Sequence, residues 1–241
     1  MIISHKNRFV MLGPWKTASQ TTRARLRRYD ESKYPTFFYF NTYLNRVVHQ
    51  HITRAEFECL PEAKLGYLAA TFVRNPYDRA YSGFRQLQKD IQEQHSASFP
   101  EPWIRDLVRQ QLAENFAQLC RAGFQFDDWI AFVRDEQVYE IGRNSNFPLH
   151  PAHYWSHIGG VRAVDFIGQV ETFEADFRRF LSEVGIQESE EVNENVVDLV
   201  GASASDPSGY RYVARMNERS KARINELFVR DFELFGYEKC S

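Results

Sequence analysis

Short apolar runs alternate with longer amphipathic segments along the chain. Three runs, at Arg8–Leu12, Tyr67–Val73 and Val164–Val170, have strand length and few polar positions, which is typical of strands buried on both faces. Two further short strands are predicted at Thr36–Asn41 and Asn45–Ile52. Because strands alternate with helices, the pattern predicts an α/β fold in which helices flank a central parallel sheet.

Helical periodicity fills most of the remaining chain. It predicts helices from Thr21 to about Tyr29, from Asp78 to about Gln92, within Phe99–Arg143, and from about Arg215 to Phe235. Thr53, with Glu56 three residues later, has the pattern of a capping box for a short helix. Residues 187–209 are acidic and then small and polar, and we interpret them as a long loop that can act as a lid.

Composition narrows the class of protein. The chain has 241 residues, of which 43% are hydrophobic, and no internal boundary, so we predict one domain over residues 1–241. A net charge of −2 argues against a general nucleic-acid binder. Three widely spaced cysteines favour a reducing compartment over a disulfide framework. Since no signal peptide or run of about 18 apolar residues is present, we expect a soluble, cytoplasmic protein without a transmembrane segment.

The first candidate binding site follows the apolar run that ends at Leu12. Gly13 and Pro14 make a turn, Lys16 adds a positive charge, and a helix begins a few residues later. Backbone N–H groups at a helix N-terminus, together with a lysine, form a cradle for a phosphate or sulfate group. The spacing excludes a P-loop for a triphosphate, because no second glycine precedes Lys16. An ordinary turn with a solvated lysine is the alternative.

The second candidate site follows the apolar run that ends at Val73. Arg74 stands at the carboxyl end of this run, where ligands bind in open α/β sheets. Ser82 lies about two helical turns further on and can face back toward the arginine. An arginine beside a hydroxyl is a good clamp for a monophosphate. The alternative is an Arg–Asp surface pair with a serine that faces the core. Two such sites predict a ligand with two separated anionic groups.

These segments resemble the nucleotide-binding motifs of sulfotransferases that use 3′-phosphoadenosine 5′-phosphosulfate (PAPS). Residues 14–21 (PWKTASQT) are similar to the 5′-phosphosulfate loop, and residues 72–82 (FVRNPYDRAYS) fit the 3′-phosphate motif throughout. Two later stretches of the family follow in the expected order, at residues 164–171 (VDFIGQVE) and 231–237 (DFELFGY). The chain departs from the family at Trp15, which separates Pro14 from Lys16, and at Gln20, where a small hydroxyl residue is usual. It also lacks the arginine that commonly follows Gly168.

The resemblance implies a P-loop-like three-layer fold, with PAPS as co-substrate and PAP as product. Catalysis of sulfuryl transfer by positioning and charge stabilisation does not require a metal. It implies that the 5′-phosphosulfate is bound by Lys16, Thr17, Ala18, Ser19, Gln20 and Thr21. It assigns the 3′-phosphate to Arg74 and Ser82. A loop of the family closes over the nucleotide near Tyr210 and Arg211, which implies that Arg211 contacts the 3′-phosphate and that a tyrosine stacks on adenine. A plain lead-in to the last helix is the alternative.

Transfer to a hydroxyl acceptor needs a general base as well as charge stabilisation, for which Lys16 is the candidate. The segment His49-Gln50-His51 resembles the H-x-H segment of uronyl 2-O-sulfotransferases, in which the second histidine is the base. This assigns the base to His51 and an acceptor contact to His49. The unperturbed pKa of histidine is about 6.5, so we expect the rate to fall as the pH drops through that value. The alternative is that both histidines are structural.

A second histidine group, His150, His153 and His157, has spacings that permit a metal site. Pro151 and the neighbouring aromatic residues favour a loop instead, so we predict no metal and assign substrate contacts to His150 and His153. The acceptor is predicted to be a carbohydrate or glycoconjugate. The alternatives are a small-molecule sulfotransferase, an ATP-dependent kinase and a non-catalytic binding module. The sequence does not indicate an oligomeric state.

Overall fold

The structure is a computed structural model that describes residues 1–34, 38–92, 101–142, 147–187 and 210–240. The chain forms two compact units. The first comprises Met1–Arg74 and Ala152–Gly201, and the second comprises Asn75–Pro151 and Ala202–Ser241. The assignment of one domain to the whole chain stays a prediction.

The first unit contains a four-stranded sheet. Its strands, with those of two small hairpins, are β1 (Ile2–Ser4), β2 (Phe9–Leu12), β3 (Tyr39–Asn41), β4 (Arg46–Val48), β5 (Leu68–Val73), β6 (His157–Ile158), β7 (Val161–Arg162) and β8 (Phe166–Gln169). The sheet order is β1-β2-β5-β8, and β2, β5 and β8 run parallel. Strand β1 is antiparallel to β2, with Ile3 opposite Val10. The sheet is therefore mixed, and the prediction of a parallel sheet was wrong at this edge. Strand β1 was missed because three residues are too few for a strand to be recognised from periodicity.

The helices follow the predicted order closely. They are α1 (Ser19–Leu26), α2 (Arg54–Phe57), α3 (Pro76–Gln92), α4 (Pro102–Arg121), α5 (Phe126–Phe132), α6 (Asp135–Tyr139), α7 (Phe173–Glu183), α8 (Glu218–Leu227) and α9 (Val229–Phe235). The capping box of Thr53 and Glu56 is confirmed. The last predicted helix is two helices, which meet at Phe228. The proposed lid lies outside the described residues, apart from Gln187.

The core of the first unit lies between the sheet and helices α1 and α7. Phe9 and Met11 alternate along β2 and pack with Phe72, Phe177 and Leu26, so one face of the sheet is covered. Arg25 joins the two helices through a bidentate ion pair with Glu174, at 2.9 and 2.7 Å. Gly168 in β8 is required by this packing, because a Cβ there would lie 2.4 Å from the ring of Phe72.

The second unit is helical, and its core surrounds the fully buried Trp129. Helix α3 begins at Pro76, and the side chain of Asn75 accepts a hydrogen bond of 2.8 Å from the backbone N–H of Asp78. This is the N-cap arrangement that the Asn-Pro sequence favours. Arg79 pairs with Asp231 at 3.1 Å and donates to the backbone oxygen of His150 at 2.7 Å, which ties α3 to α9 inside the unit.

Candidate functional site

The loop between β2 and α1 has an unusual backbone. Lys16 and Ala18 both adopt left-handed conformations, with φ of 61° and 59°. Such a conformation costs a non-glycine residue about 1–2 kcal/mol, so two of them in one short loop indicate a function. Left-handed residues in a turn direct successive N–H groups toward one concave side, which is a common way to bind an anion. The loop leads into the N-terminus of α1, whose first residue is Ser19.

The hydroxyl groups of this loop have different environments. Thr17 is buried and donates to the backbone oxygen of Pro14 at 3.0 Å, so its side chain closes the turn. Thr21 is also buried, whereas Ser19 is half-buried and Gln20 is exposed. Of the predicted hydroxyl contacts, Ser19 is therefore the most accessible to a bound anion.

His51 lies against the same loop. Its Nδ1 is 2.5 Å from the backbone oxygen of Gly13, and a carbonyl oxygen can only accept, so Nδ1 carries the proton. Nε2 then has the free lone pair that a general base needs. Burial lowers the pKa of His51 to about 3, and the positive charges of Arg23 and Lys16 act in the same direction. The imidazole is therefore neutral at physiological pH, and the expectation that it titrates near its unperturbed pKa was wrong.

His49 and His51 do not lie in a strand, because β4 ends at Val48. In the predicted strand Asn45–Ile52 the two side chains, two residues apart, would lie on the same face. The rings nevertheless stack on each other, with centroids 4.8 Å apart and planes 13° from parallel. Trp15 completes the group, with its ring centroid 4.2 Å from that of His51 and 5.0 Å from that of His49. We call Trp15, His49 and His51 the ring cluster.

A small cleft, with a cavity volume of about 20 Å³, opens beside the loop and His51. Its lining includes Gly13, Ser19 and His51, together with two residues of α1, Thr22 and Arg23. The Thr22 hydroxyl is buried and has no hydrogen-bond partner among the described residues. An unpaired buried hydroxyl costs about 1–3 kcal/mol, so a group that enters the cleft can repay it with a hydrogen bond.

The second predicted motif begins in one unit and continues in the other. Arg74 is half-buried and follows the last residue of β5, at the carboxyl end of the strand as predicted. Ser82 is half-buried and lies on α3. The strand, the turn and the helix that the motif requires are confirmed. The roles of both residues at a 3′-phosphate stay predictions.

Tyr210 and Arg211 lie in a segment that is attached to α3. The carboxylate of Asp78 accepts hydrogen bonds from the backbone N–H groups of Arg211, at 3.1 Å, and of Tyr212, at 2.8 Å. The ring of Tyr212 stacks on that of Tyr81, with centroids 4.7 Å apart. The Tyr210 hydroxyl accepts a hydrogen bond from the backbone N–H of Glu238 at 3.1 Å. We call residues 210–212 the anchored segment.

The histidines of the second group have separate environments. His150 belongs to the second unit and is 1% exposed, and its Nδ1 donates to the backbone oxygen of Val138 at 2.8 Å. Such packing favours a structural role, so the assignment of His150 to substrate binding finds no support here. His153 belongs to the first unit, is half-buried, and packs edge-on against Tyr154. Its substrate contact stays a prediction.

The described ranges contain neither a candidate metal centre nor a candidate membrane span. No group of three or more His, Cys, Asp or Glu side chains in these ranges is arranged to hold a metal ion. None of the helices within them combines the length and the apolar character that a membrane span requires.

Sequence reasoning missed three residues of these sites. Asp78 was identified only as the start of a helix, because nothing near it in the chain indicates a partner more than a hundred residues away. Trp15 was noticed as a departure from a motif, but its ring partners follow from the tertiary structure. Thr22 lies one residue beyond the predicted cradle, and an amphipathic pattern does not distinguish it from a core threonine.

The sequence is similar to a known protein family and to individual curated proteins. The profile described as "Sulfotransferase family" matches residues 1–238. Carbohydrate sulfotransferase 10 of Xenopus laevis is 25% identical over 180 residues, which cover 72% of this chain and 48% of that protein. The Rattus norvegicus protein of the same name is 25% identical over 215 residues, which cover 80% of this chain and 55% of that protein. The chain thus spans about half the length of these relatives. No solved structure matches it.

Proposed function

Because the chain belongs to the sulfotransferase family, we propose that it transfers a sulfuryl group from PAPS to a hydroxyl group of a carbohydrate or glycoconjugate. The observation that carries this proposal is the pairing of an anion-binding loop with a neutral histidine. The loop has two left-handed residues at a helix N-terminus, and His51 is hydrogen-bonded to the same loop at Gly13.

The donor is held by its two phosphate groups in this proposal. The 5′-phosphosulfate lies against the backbone N–H groups of the loop, with Lys16 and the hydroxyl of Ser19 beside it. Lys16 stabilises the negative charge that develops on the leaving phosphate as the S–O bond breaks. Thr22 donates its otherwise unpaired hydroxyl to an oxygen of the reacting groups. Arg74, Ser82 and Arg211 are assigned to the 3′-phosphate.

The acceptor is activated by His51. Its Nε2 removes the proton of the attacking hydroxyl, while the oxygen of Gly13 keeps the proton on Nδ1 and fixes the ring. The imidazolium that forms is stabilised by the same carbonyl oxygen. In this mechanism catalysis consists of positioning, charge stabilisation and one proton transfer, for which Lys16 of the loop and His51 beside the cleft are the proposed groups.

The carbohydrate acceptor rests on the relatives, which are named carbohydrate sulfotransferases. A small-molecule acceptor is the second candidate. An ATP-dependent kinase is not favoured, because the loop lacks the spacing that a triphosphate requires and the relatives are sulfotransferases.

Two measurements test the proposal. The melting temperature should rise with adenosine 3′,5′-bisphosphate and remain unchanged with ATP. Labelled sulfate from PAPS should then be transferred to members of a panel of oligosaccharides by the wild type and not by Lys16→Ala. Stabilisation by ATP alone would contradict the donor, and tight bisphosphate binding without transfer to any acceptor would indicate a binding module.

A further inference from the structure

Trp15 stands where sulfotransferases that resemble this chain place proline and lysine next to each other, and its ring covers the proposed base. We propose that Trp15 is a positioning residue, which holds the imidazole of His51 in the orientation and tautomer that proton transfer needs. The inference rests on the proposed function for its consequence in catalysis. The orientation and solvent exposure of the His51 ring depend only on the contacts within and around the ring cluster.

The contacts of His51 fix its ring from two directions. The oxygen of Gly13 holds Nδ1 in the plane of the ring, and Trp15 packs on the ring with centroids 4.2 Å apart and planes 33° from parallel. His49 stacks on the same imidazole, and Phe38 packs edge-on against His49, with centroids 4.7 Å apart. A flip of the imidazole about its Cβ–Cγ bond would break the hydrogen bond to Gly13, and a smaller rotation that tilts the ring out of its plane would disturb both ring contacts.

Trp15 also controls how much water reaches the base. His51 is 8% exposed, and the half-buried indole supplies part of this cover. Removal of the indole would open the imidazole to solvent, which would relieve the desolvation that lowers its pKa. The charged or titratable groups that face His51 are Lys16 from the loop, Arg23 from α1, the amino group of Met1 and the His49 ring. Lys16 and Arg23 are the cations that disfavour an imidazolium, because burial lowers the pKa of the Met1 amino group to about 4 and leaves it neutral near pH 7. The effect of added water is therefore partly offset.

The position of Trp15 in the loop links the base to the anion site. Trp15 directly precedes Lys16, and Gly13 provides the carbonyl oxygen that orients Nδ1. Gly13 and Trp15, on either side of Pro14, thus contact His51. Residues 16–18, which follow directly, form the backbone of the proposed anion site. A tryptophan inserted between the proline and the lysine therefore makes one rigid element of the charge-stabilising lysine and the base.

Nuclear magnetic resonance of the imidazole nitrogens tests this inference on the unliganded protein. Comparison with His51→Asn identifies the His51 signals. In the wild type they should show a neutral ring protonated at Nδ1 from about pH 7.5 down to about pH 5. In Trp15→Ala the ring should exchange between tautomers and its pKa should rise above about 5. Trp15→Phe should restore the wild-type spectrum, because a phenyl ring can stack in the same place.

Trp103→Ala is the matched control, because this tryptophan is 48% exposed on α4 and its loss should leave the His51 signals unchanged. If Trp15→Ala does not fold, as judged by its thermal melt, Trp15→Leu replaces it. If His51 keeps its wild-type tautomer and its wild-type pKa in Trp15→Ala, or in Trp15→Leu where that variant is used, the inference is overturned.

Enzyme kinetics provide the second measurement. Trp15→Ala should lower kcat about 10-fold or more and add a loss of rate at acidic pH that the wild type lacks, with KM for PAPS little changed. Changed His51 signals without sulfate transfer by the wild type would refute the proposed function alone, whereas transfer with unchanged signals would refute the role of Trp15 alone.

Discussion

The loop of residues 13–18 and the anchored segment of residues 210–212 are both candidate anion sites, and different forces hold them. The loop is shaped by its own backbone, with two left-handed residues, and by aromatic rings that pack beside it. The anchored segment depends on one buried carboxylate, Asp78, that accepts two backbone N–H groups from a distant part of the chain. Local geometry therefore shapes the first, and a long-range charge-assisted contact shapes the second.

This difference predicts how each region responds to substitution. A change in the loop should affect the chemical step, because the loop carries the charge-stabilising lysine and orients the base. A change at Asp78 should affect nucleotide affinity, because it only positions groups that bind. The following variants test the distinction, in order of decreasing expected effect.

His51→Asn should lower kcat about 10²- to 10⁴-fold, because the amide can still donate to Gly13 but cannot accept a proton. Affinity for adenosine 3′,5′-bisphosphate, measured by calorimetry, should change less than about 3-fold, that is by less than about 0.7 kcal/mol. Full activity of this variant would show that another group is the base.

Lys16→Ala should lower kcat about 10²- to 10³-fold, because one positive charge is lost where negative charge develops. Lys16→Arg should retain part of the activity, since it keeps the charge. Lys64→Ala is the control, because this lysine is exposed in the first unit and no role is assigned to it. An equal loss of activity in Lys64→Ala would mean that net charge, not position, matters.

Asp78→Asn should weaken binding of adenosine 3′,5′-bisphosphate about 10-fold, that is by about 1.4 kcal/mol, with a smaller effect on kcat. The amide keeps one acceptor oxygen but loses the charge that strengthens two hydrogen bonds. Asp127→Asn is the matched control, because Asp127 also accepts a backbone N–H, from Asn217 at 3.1 Å. If the two variants bind adenosine 3′,5′-bisphosphate with similar affinity, Asp78 has no specific role in nucleotide binding.

Thr22→Val should lower kcat/KM about 5- to 10-fold, that is by about 1 kcal/mol, as expected for one lost hydrogen bond to a ligand. The free energy of unfolding should stay the same or rise, because valine has the same shape and removes an unpaired buried hydroxyl. Thr22→Ser, which keeps the hydroxyl, should retain the activity. A destabilised but fully active Thr22→Val would assign the hydroxyl to the fold.

The pH dependence of stability should show the smallest effect. The pKa of His51 is about 3 in the folded state and about 6.5 in the unfolded state, so the unfolded state binds more protons between these values. Stability is therefore lost as the pH falls below about 6.5, by about 1 kcal/mol between pH 6.5 and about 5.5. Urea unfolding should show this loss in the wild type and a reduced loss in His51→Asn.

Much of the fold follows from the sequence. The apolar runs at β2, β5 and β8, the capping box of Thr53 and the N-cap of Asn75 all depend on residues that are close together in the chain. The local structure around Lys16 and Arg74 could be predicted for the same reason, because each of these residues follows a strand and precedes a helix. Strand β1 was missed, since its pairing with β2, and not its own three residues, makes it a strand.

The tertiary structure alone decided how the candidate groups behave chemically. The sequence indicated a histidine base but not its pKa, which depends on burial and on charges from α1 and the loop. It also indicated Arg211 but not Asp78 as the anchor of its backbone, and it showed Trp15 as an insertion without its ring partners. Local propensities act over a few residues and can be recognised in a sequence pattern. Desolvation, ring stacking and hydrogen bonds between distant segments arise only when the chain has folded, so only the structure determines them.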